Sequence, residues 1–254
     1  MKLKIFWTGL TAFFIPTFGL TAVPETVQWT WDDGVYLYSS PVRLNWNDWP
    51  ATLAVTGLLG GSLALDRITR RNLMPYQDSG SATTLRHYGD VAQFAGPIAG
   101  CLFAAAGWTT KNEDEKRVSW DLIESFLWAN AISETFKFSL GRHRPYATDD
   151  PFELRPGSTS GGFPSGHTIS AFATATTLSE YYPTWEVAVP AYAAATAVGF
   201  SRIYANQHWG SDVVGGALLG YGVSHTLWKR HHSRAQSAWE LNAGPDGIQL
   251  TRKF

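Results

Sequence analysis

The sequence predicts an all-α protein, a helical bundle of about six core helices with possible short β-hairpins at the two termini. Three observations predict it. Between residues 51 and 231 the apolar residues fall in runs of helix length, bounded by Pro, Gly or a capping polar residue. No internal repeat, linker or low-complexity tract breaks this stretch. The 254 residues suffice for one sizeable domain, and 44% are hydrophobic, so a core can form. Helices packed around one core satisfy all three.

The chain opens with Lys2 and Lys4, then carries no charge until Glu25. An apolar stretch from Ile5 to Leu20 leads to small residues, with Ala22 a cleavage point. Residues 1–22 therefore read as a signal peptide, and an uncleaved membrane anchor is the competing reading. Either way the two lysines stay on the cytoplasmic side while the remainder crosses. Residues 23–50 form an aromatic-rich segment in which Val27–Ser40 alternates apolar and polar around Asp32-Asp33-Gly34, which predicts a hairpin. A second hairpin is expected in the tail, residues 232–254, from Trp239 and Leu241, a Gly-Pro-Asp-Gly turn, then Ile248 and Leu250.

Asp48 before Trp49-Pro50 starts a helix that runs through Leu65 towards Arg70. A second run, Tyr88 to Trp108, should kink or break at Gly96-Pro97. The polar stretch Lys111–Arg117 reads as a loop. A third helix runs from Trp120 to Leu140 and stops at Gly141. Residues 146–163 are rich in Gly, Ser, Pro and Asp and form an irregular loop, either a lid or a plain connector. Helices near 166–182, 185–200 and 207–230 complete the bundle.

Composition excludes several functions. Twenty basic residues against 21 acidic give a net charge of −1, which argues against a nucleic-acid partner. The single cysteine, Cys101, excludes a disulfide framework or a multi-cysteine zinc site, and is expected as a buried small hydrophobe. Charge-free windows run 49–65, 91–110, 187–201 and 213–228, and only the second has bilayer length. With a mean hydropathy of −0.13, the chain is expected to be exported, periplasmic or membrane-associated, with its site outside the cytoplasm. An integral membrane bundle is the alternative.

Three segments carry chemistry. Lys137-Phe-Ser-Leu-Gly-Arg-His-Arg144-Pro145 and Ser201-Arg202-Ile-Tyr-Ala-Asn-Gln-His208-Trp-Gly-Ser-Asp212 place three cations, Lys137, Arg144 and Arg202, near helix ends. Pro164-Ser165-Gly166-His167 opens a helix, with Ser165 the N-cap and its free N–H groups suited to an anion. His208 and Asp212, four apart, share a helix face, so the carboxylate can fix the imidazole tautomer, or the pair could be half of a metal site. Together these groups describe a receptor for a tetrahedral oxyanion, most naturally phosphate. Arg142 and His143 either shape the mouth or face solvent. Asn206 and Trp209 read as packing, and His87, His225, His231 and His232 have no assigned role.

The three segments resemble the signature of the type 2 phosphatidic acid phosphatase superfamily, which also holds the vanadium haloperoxidases and bacterial class A acid phosphatases. Lys-x6-Arg-Pro, Pro-Ser-Gly-His and Ser-Arg-x5-His-x3-Asp are matched at all eleven fixed positions. The resemblance covers about residues 50–230 and implies that residues 51–231 are a metal-independent phosphatase domain hydrolysing phosphoric monoesters without a cofactor. It implies His208 as nucleophile through a phosphohistidine, Asp212 as its support and His167 as acid and base. Lys137, Arg144, Ser165, Gly166 and Arg202 would bind the phosphate. The substrate would be a phosphorylated lipid or a small phosphoester, and a membrane surface is a further partner. Vanadate would act as an inhibitory phosphate mimic. A vanadium-dependent haloperoxidase, or a non-catalytic phospholipid-binding membrane protein, is the alternative function.

Overall fold

The computed structural model describes residues 25–76, 80–158, 161–237, 239–244 and 247–252. The expected signal peptide lies outside them. The described part is an all-α bundle of eight helices. These are α1 (Glu25–Tyr38), α2 (Trp49–Leu73), α3 (Gly80–Ala92), α4 (Ala95–Thr110), α5 (Glu113–Leu140), α6 (Gly166–Tyr181), α7 (Trp185–Tyr204) and α8 (Gly210–Ser237). An antiparallel hairpin, β1 (Trp239–Gly244) with β2 (Gly247–Arg252), follows in the tail and pairs Trp239 with Arg252.

The helix α6 is central and packs against α5, α7 and α8. Apart from Ile169, its buried positions are small, among them Ala171, Ala173, Ala175, Thr176 and Thr177. Small residues let the surrounding backbones come close. Gly216 and Gly220 of α8 face the Ser165 and Ile169 carbonyls of α6, where an added Cβ would collide. One apolar cluster joins Leu37, Ala129, Ile169, Ala173, Val223 and Leu227 across α1, α5, α6 and α8. A second joins Ala171, Ala175, Ala195 and Val198 across α6 and α7.

Two local expectations are corrected. Val27–Ser40 is not a hairpin but mostly the helix α1. Its buried residues are Asp33, Gly34 and Leu37, a helical face, and the alternating aromatics fit that period as well as a strand's. Asp33 fixes α1 to α8 by accepting from Arg230 and Arg234. Lys111–Arg117 is not a loop: Asn112 accepts from the Asp114 and Glu115 amides, and Glu113, Asp114 and Glu115 fill the first turn of α5, where negative charge is favoured. The core therefore takes more helices than six, because α1 and the split α3–α4 pair add to it.

The bundle is not covered evenly. Helix α2, with its extension to Tyr76, is long and apolar enough to cross a membrane, yet only 6% of its most apolar stretch is buried. The pair α3–α4 passes the same test as one segment bent by 41°, so the predicted break near Gly96-Pro97 falls at Gln93-Phe94. Leu53, Leu58 and Leu65 of α2 and Ile98, Leu102 and Trp108 of α4 are all exposed. Cys101 of α4 is exposed among them rather than buried, because the core takes the glycine face of this helix, Gly96, Gly100 and Gly107.

Candidate active site

The α5 helix ends where Gly141, with φ 57, caps it in the left-handed region. The chain after it turns back along the helix end: Arg155 N–H donates to Gly141 O and Gly162 N–H to Arg142 O. The loop 146–163 is thus pinned at both ends. Its Asp149 and Asp150 pair with Arg70 and Arg67 of α2. Residues 159–160 lie outside the described set.

At this end of the bundle one open cavity of about 270 Å³ is lined by Arg144, His167, Arg202 and His208, together with Arg86, Asp90 and Gln207. The two histidines and two of the three predicted cations therefore share one cavity. Lys137 of α5 is not among the lining residues: its Nζ lies 3.2 Å from where a Cβ on Gly166 would stand, it pairs with Glu134 at 2.6 Å, and its charge acts on His208. Ser165 is at the N-cap position of α6, but its hydroxyl accepts from Thr168 Oγ1 at 3.0 Å and caps no amide. Asp212 is wholly buried behind His208, with 3.4 Å between its Oδ2 and His208 Nδ1. The other ring nitrogen, Nε2, is left for the cavity.

The left-handed Asn206, φ 55, turns the chain between α7 and α8 and delivers His208. Trp209 is packing, as expected: it is buried and its Nε1–H donates to His143 O.

Burial lowers the His208 pKa below the usual imidazole value. Asp212 raises it, and the Arg144 and Lys137 charges lower it again. Burial likewise lowers His167 to about 4, helped by Arg202 and His208 and opposed by Asp90. Both rings are therefore neutral at neutral pH, which suits a nucleophile, and the acid role of His167 calls for an anion beside it.

Sequence reasoning missed four groups. Asp90 of α3 accepts from Arg202 NH1 at 2.6 Å and lies 3.3 Å from His167 Nε2. Gly89 permits this, since a Cβ there would collide with the Arg202 guanidinium. Arg86 lines the cavity and accepts at its carbonyl from Arg202 NH2. Arg142 does not face solvent. It is 4% exposed and its fork reaches Asp212, Ser211, Asp66 and the Pro151 carbonyl. Asp66 of α2 completes that network. The one sequence signal was an aspartate closing an apolar helical run. Nothing local tied it to Arg142, 76 positions along the chain.

Among the described residues, the carboxylate–imidazole group spaced for a metal ion is Asp33, Glu124 and His231, at the other end of α5 and α8. Both Asp33 oxygens there already accept from arginines.

Residues 119–236 match the sequence profile of the PAP2 superfamily. The undecaprenyl-diphosphatase of Sulfolobus acidocaldarius is 32% identical over 110 residues, covering 43% of this chain and 53% of that protein. The lipid A 1-phosphatase of Porphyromonas gingivalis is 41% identical over 104 residues, 37% of this chain and 21% of that protein. The matched region thus spans about half of the first relative and a fifth of the second. The fold is shared with the crystal structure of a transmembrane PAP2-type phosphatidylglycerolphosphate phosphatase from Bacillus subtilis, at TM-score 0.51 and 18% identity, over 82% of this chain and 94% of that one.

Proposed function

Because residues 119–236 match the PAP2 superfamily, we propose that this chain hydrolyses the terminal phosphate of a membrane lipid, without a metal, through a phosphohistidine. The observation that carries the lipid part is the position of α3. Its Arg86 and Asp90 line the cavity, while Tyr88 and Val91 on the same helix are exposed beside the apolar α4. A headgroup in the cavity would leave its chains against that surface, and α2 with the α3–α4 pair would lie in the bilayer. Both relatives bear names of lipid phosphatases, which supports the same substrate class.

In the first step His208 Nε2 attacks phosphorus with its lone pair. The bond from phosphorus to the lipid oxygen breaks, and that oxygen takes the proton of His167. Asp212 faces the proton on Nδ1 and stabilises the cationic ring that forms. In the second step His167, now neutral, takes a proton from water as the water oxygen attacks phosphorus, and the bond to Nε2 breaks. Lys137, Arg144 and Arg202 hold the non-bridging oxygens, assisted by the Ser165 hydroxyl and Gly166 amide at the start of α6. Three fixed cations supply the charge that phosphoryl transfer requires, so the proposal needs no cofactor, and vanadate should compete for the same cradle. The active site would sit outside the cytoplasm, at the membrane surface.

The test is phosphate release by the detergent-solubilised full chain. Phosphatidic acid and a polyprenyl diphosphate in mixed micelles would be compared with p-nitrophenyl phosphate. Turnover of a lipid at a kcat/KM well above the soluble ester supports the reading. Equal turnover of all three sinks the lipid part, and no release from any sinks the hydrolase.

A further inference from the structure

Behind the nucleophile lies a buried charged group that the phosphate cradle does not use. Arg142 NH1 donates to Asp212 Oδ1 at 2.5 Å and to Ser211 Oγ at 2.6 Å, NH2 donates to Asp66 Oδ2 at 2.8 Å, and Nε donates to the Pro151 carbonyl at 2.7 Å. Asp66 in turn accepts from the Ser211 amide at 2.8 Å and the Ser211 hydroxyl at 2.6 Å. The side chains of Arg142, Asp66 and Asp212 are 4%, 0% and 0% exposed. Asp212 Oδ2, the oxygen not used by Arg142, accepts from the Trp209 amide and faces His208 Nδ1.

The charges explain why two carboxylates are present. Asp212 paired with Arg142 alone would be neutralised and would hold an imidazolium poorly. With Asp66 the buried set carries two negative charges and one positive, a net −1. That charge is cancelled when His208 becomes cationic. Resting on the hydrolase reading above, we infer that Arg142 and Asp66 are positioning residues for the nucleophile. Arg142 fixes one oxygen of Asp212 so that the other meets His208, and Asp66 restores the negative charge that the guanidinium removes. Because Asp66 belongs to α2, the apolar helix outside the core also serves the reacting group.

The test changes charge in both directions. Lys137 of α5, His167 of α6, Arg202 of α7, Asp90 of α3, Arg70 of α2 and Arg144 also face this end of the bundle, and all stay unchanged. D66N removes one negative charge. The acidic limb of kcat/KM on phosphatidic acid should move down by roughly one pH unit, and kcat should fall about tenfold. R142M leaves two carboxylates, so the limb should move up by roughly one unit. The double variant D66N/R142M is back at net −1 and should return the limb to its wild-type position while kcat stays low. R142K keeps the charge without the fork: the limb stays and kcat falls.

The His208 titration, read by NMR in protein with labelled histidine, follows the same shifts without turnover and covers any variant too slow to assay. If R142M fails to fold, the D66N shift and the unmoved limb of R142K decide alone. Unmoved His208 titrations in D66N and R142M would overturn the inference, as would a double variant displaced further than either single one. Absence of phosphate release by the wild type, with the titration shifts present, would instead reject only the hydrolase reading.

Discussion

Asp90 Oδ1 lies 3.3 Å from His167 Nε2 and, at 2.6 Å, accepts from Arg202, so one carboxylate from α3 holds both an acid-base candidate and a phosphate clamp. Its charge raises a His167 pKa that burial first, and Arg202 and His208 next, pull down to about 4. A phosphate dianion in the cavity would raise it further. The alkaline limb of kcat, which reports the complex, should therefore lie at higher pH than that of kcat/KM, which reports the free protein. D90N should move both limbs to lower pH and raise KM, since Arg202 loses its anchor. Rates measured across about pH 4 to 9 check this; limbs unchanged in D90N would remove Asp90 from the site.

His208 should be indispensable. H208A deletes the proposed attacking nitrogen while leaving the cation cradle, so phosphate release should fall by about a thousandfold or more, with helicity by circular dichroism unchanged. Acid quenching after mixing with labelled substrate should trap an acid-labile phosphoenzyme in wild type and none in H208A. Release within tenfold of wild type would assign the nucleophile elsewhere.

Gly141 should tolerate no side chain. Its φ of 57 places it in the left-handed region, and an added Cβ would overlap the Arg155 carbonyl. G141A should cost about 2 kcal/mol or more from strain and displaced backbone. Activity should fall with stability, because Arg142 and Arg144 follow directly after this turn. Thermal unfolding and phosphate release measured together check it; an unchanged Tm would mean the loop moves freely.

The helices that build the site were legible because their boundaries are local chemistry: Trp49-Pro50 opens α2, Gly141 closes α5, and Ser165-Gly166 opens α6. Arg144, His167, Arg202 and His208, which share the cavity, stood out because their spacing is fixed within each segment. What could not be read was pairing across the chain. Asp66 meets Arg142 over 76 positions and Asp90 meets Arg202 over 112, and no local pattern encodes either. The hairpin assigned to Val27–Ser40 failed for the same reason. Its buried face is anchored by Asp33 to Arg230 and Arg234, 197 and 201 residues later.

That distal cluster gives a stability test independent of catalysis. Glu124 is buried at 1% exposure, and neither carboxyl oxygen meets a hydrogen-bond donor at bonding geometry. Burial raises its pKa from 4.5 to about 7; the His231 charge opposes this and the Asp33 and Asp121 charges add to it. Because the folded pKa exceeds the unfolded one, Glu124 costs stability progressively as pH rises from 4.5 to about 7, and the cost is constant above. Its neighbours act oppositely. His231, raised to about 10, stabilises fully below 6.5 and loses this as pH rises through 10. Asp33, lowered to about 2, stabilises above 3.8 and loses this as pH falls towards 2. E124Q removes the buried charge but keeps the shape. At about pH 8 it should be more stable than wild type by on the order of 1–3 kcal/mol, and at about pH 4 the two should coincide. Denaturant unfolding at both pH values checks it. A variant less stable than wild type at the higher pH would show that the ionised carboxylate is held favourably by His231.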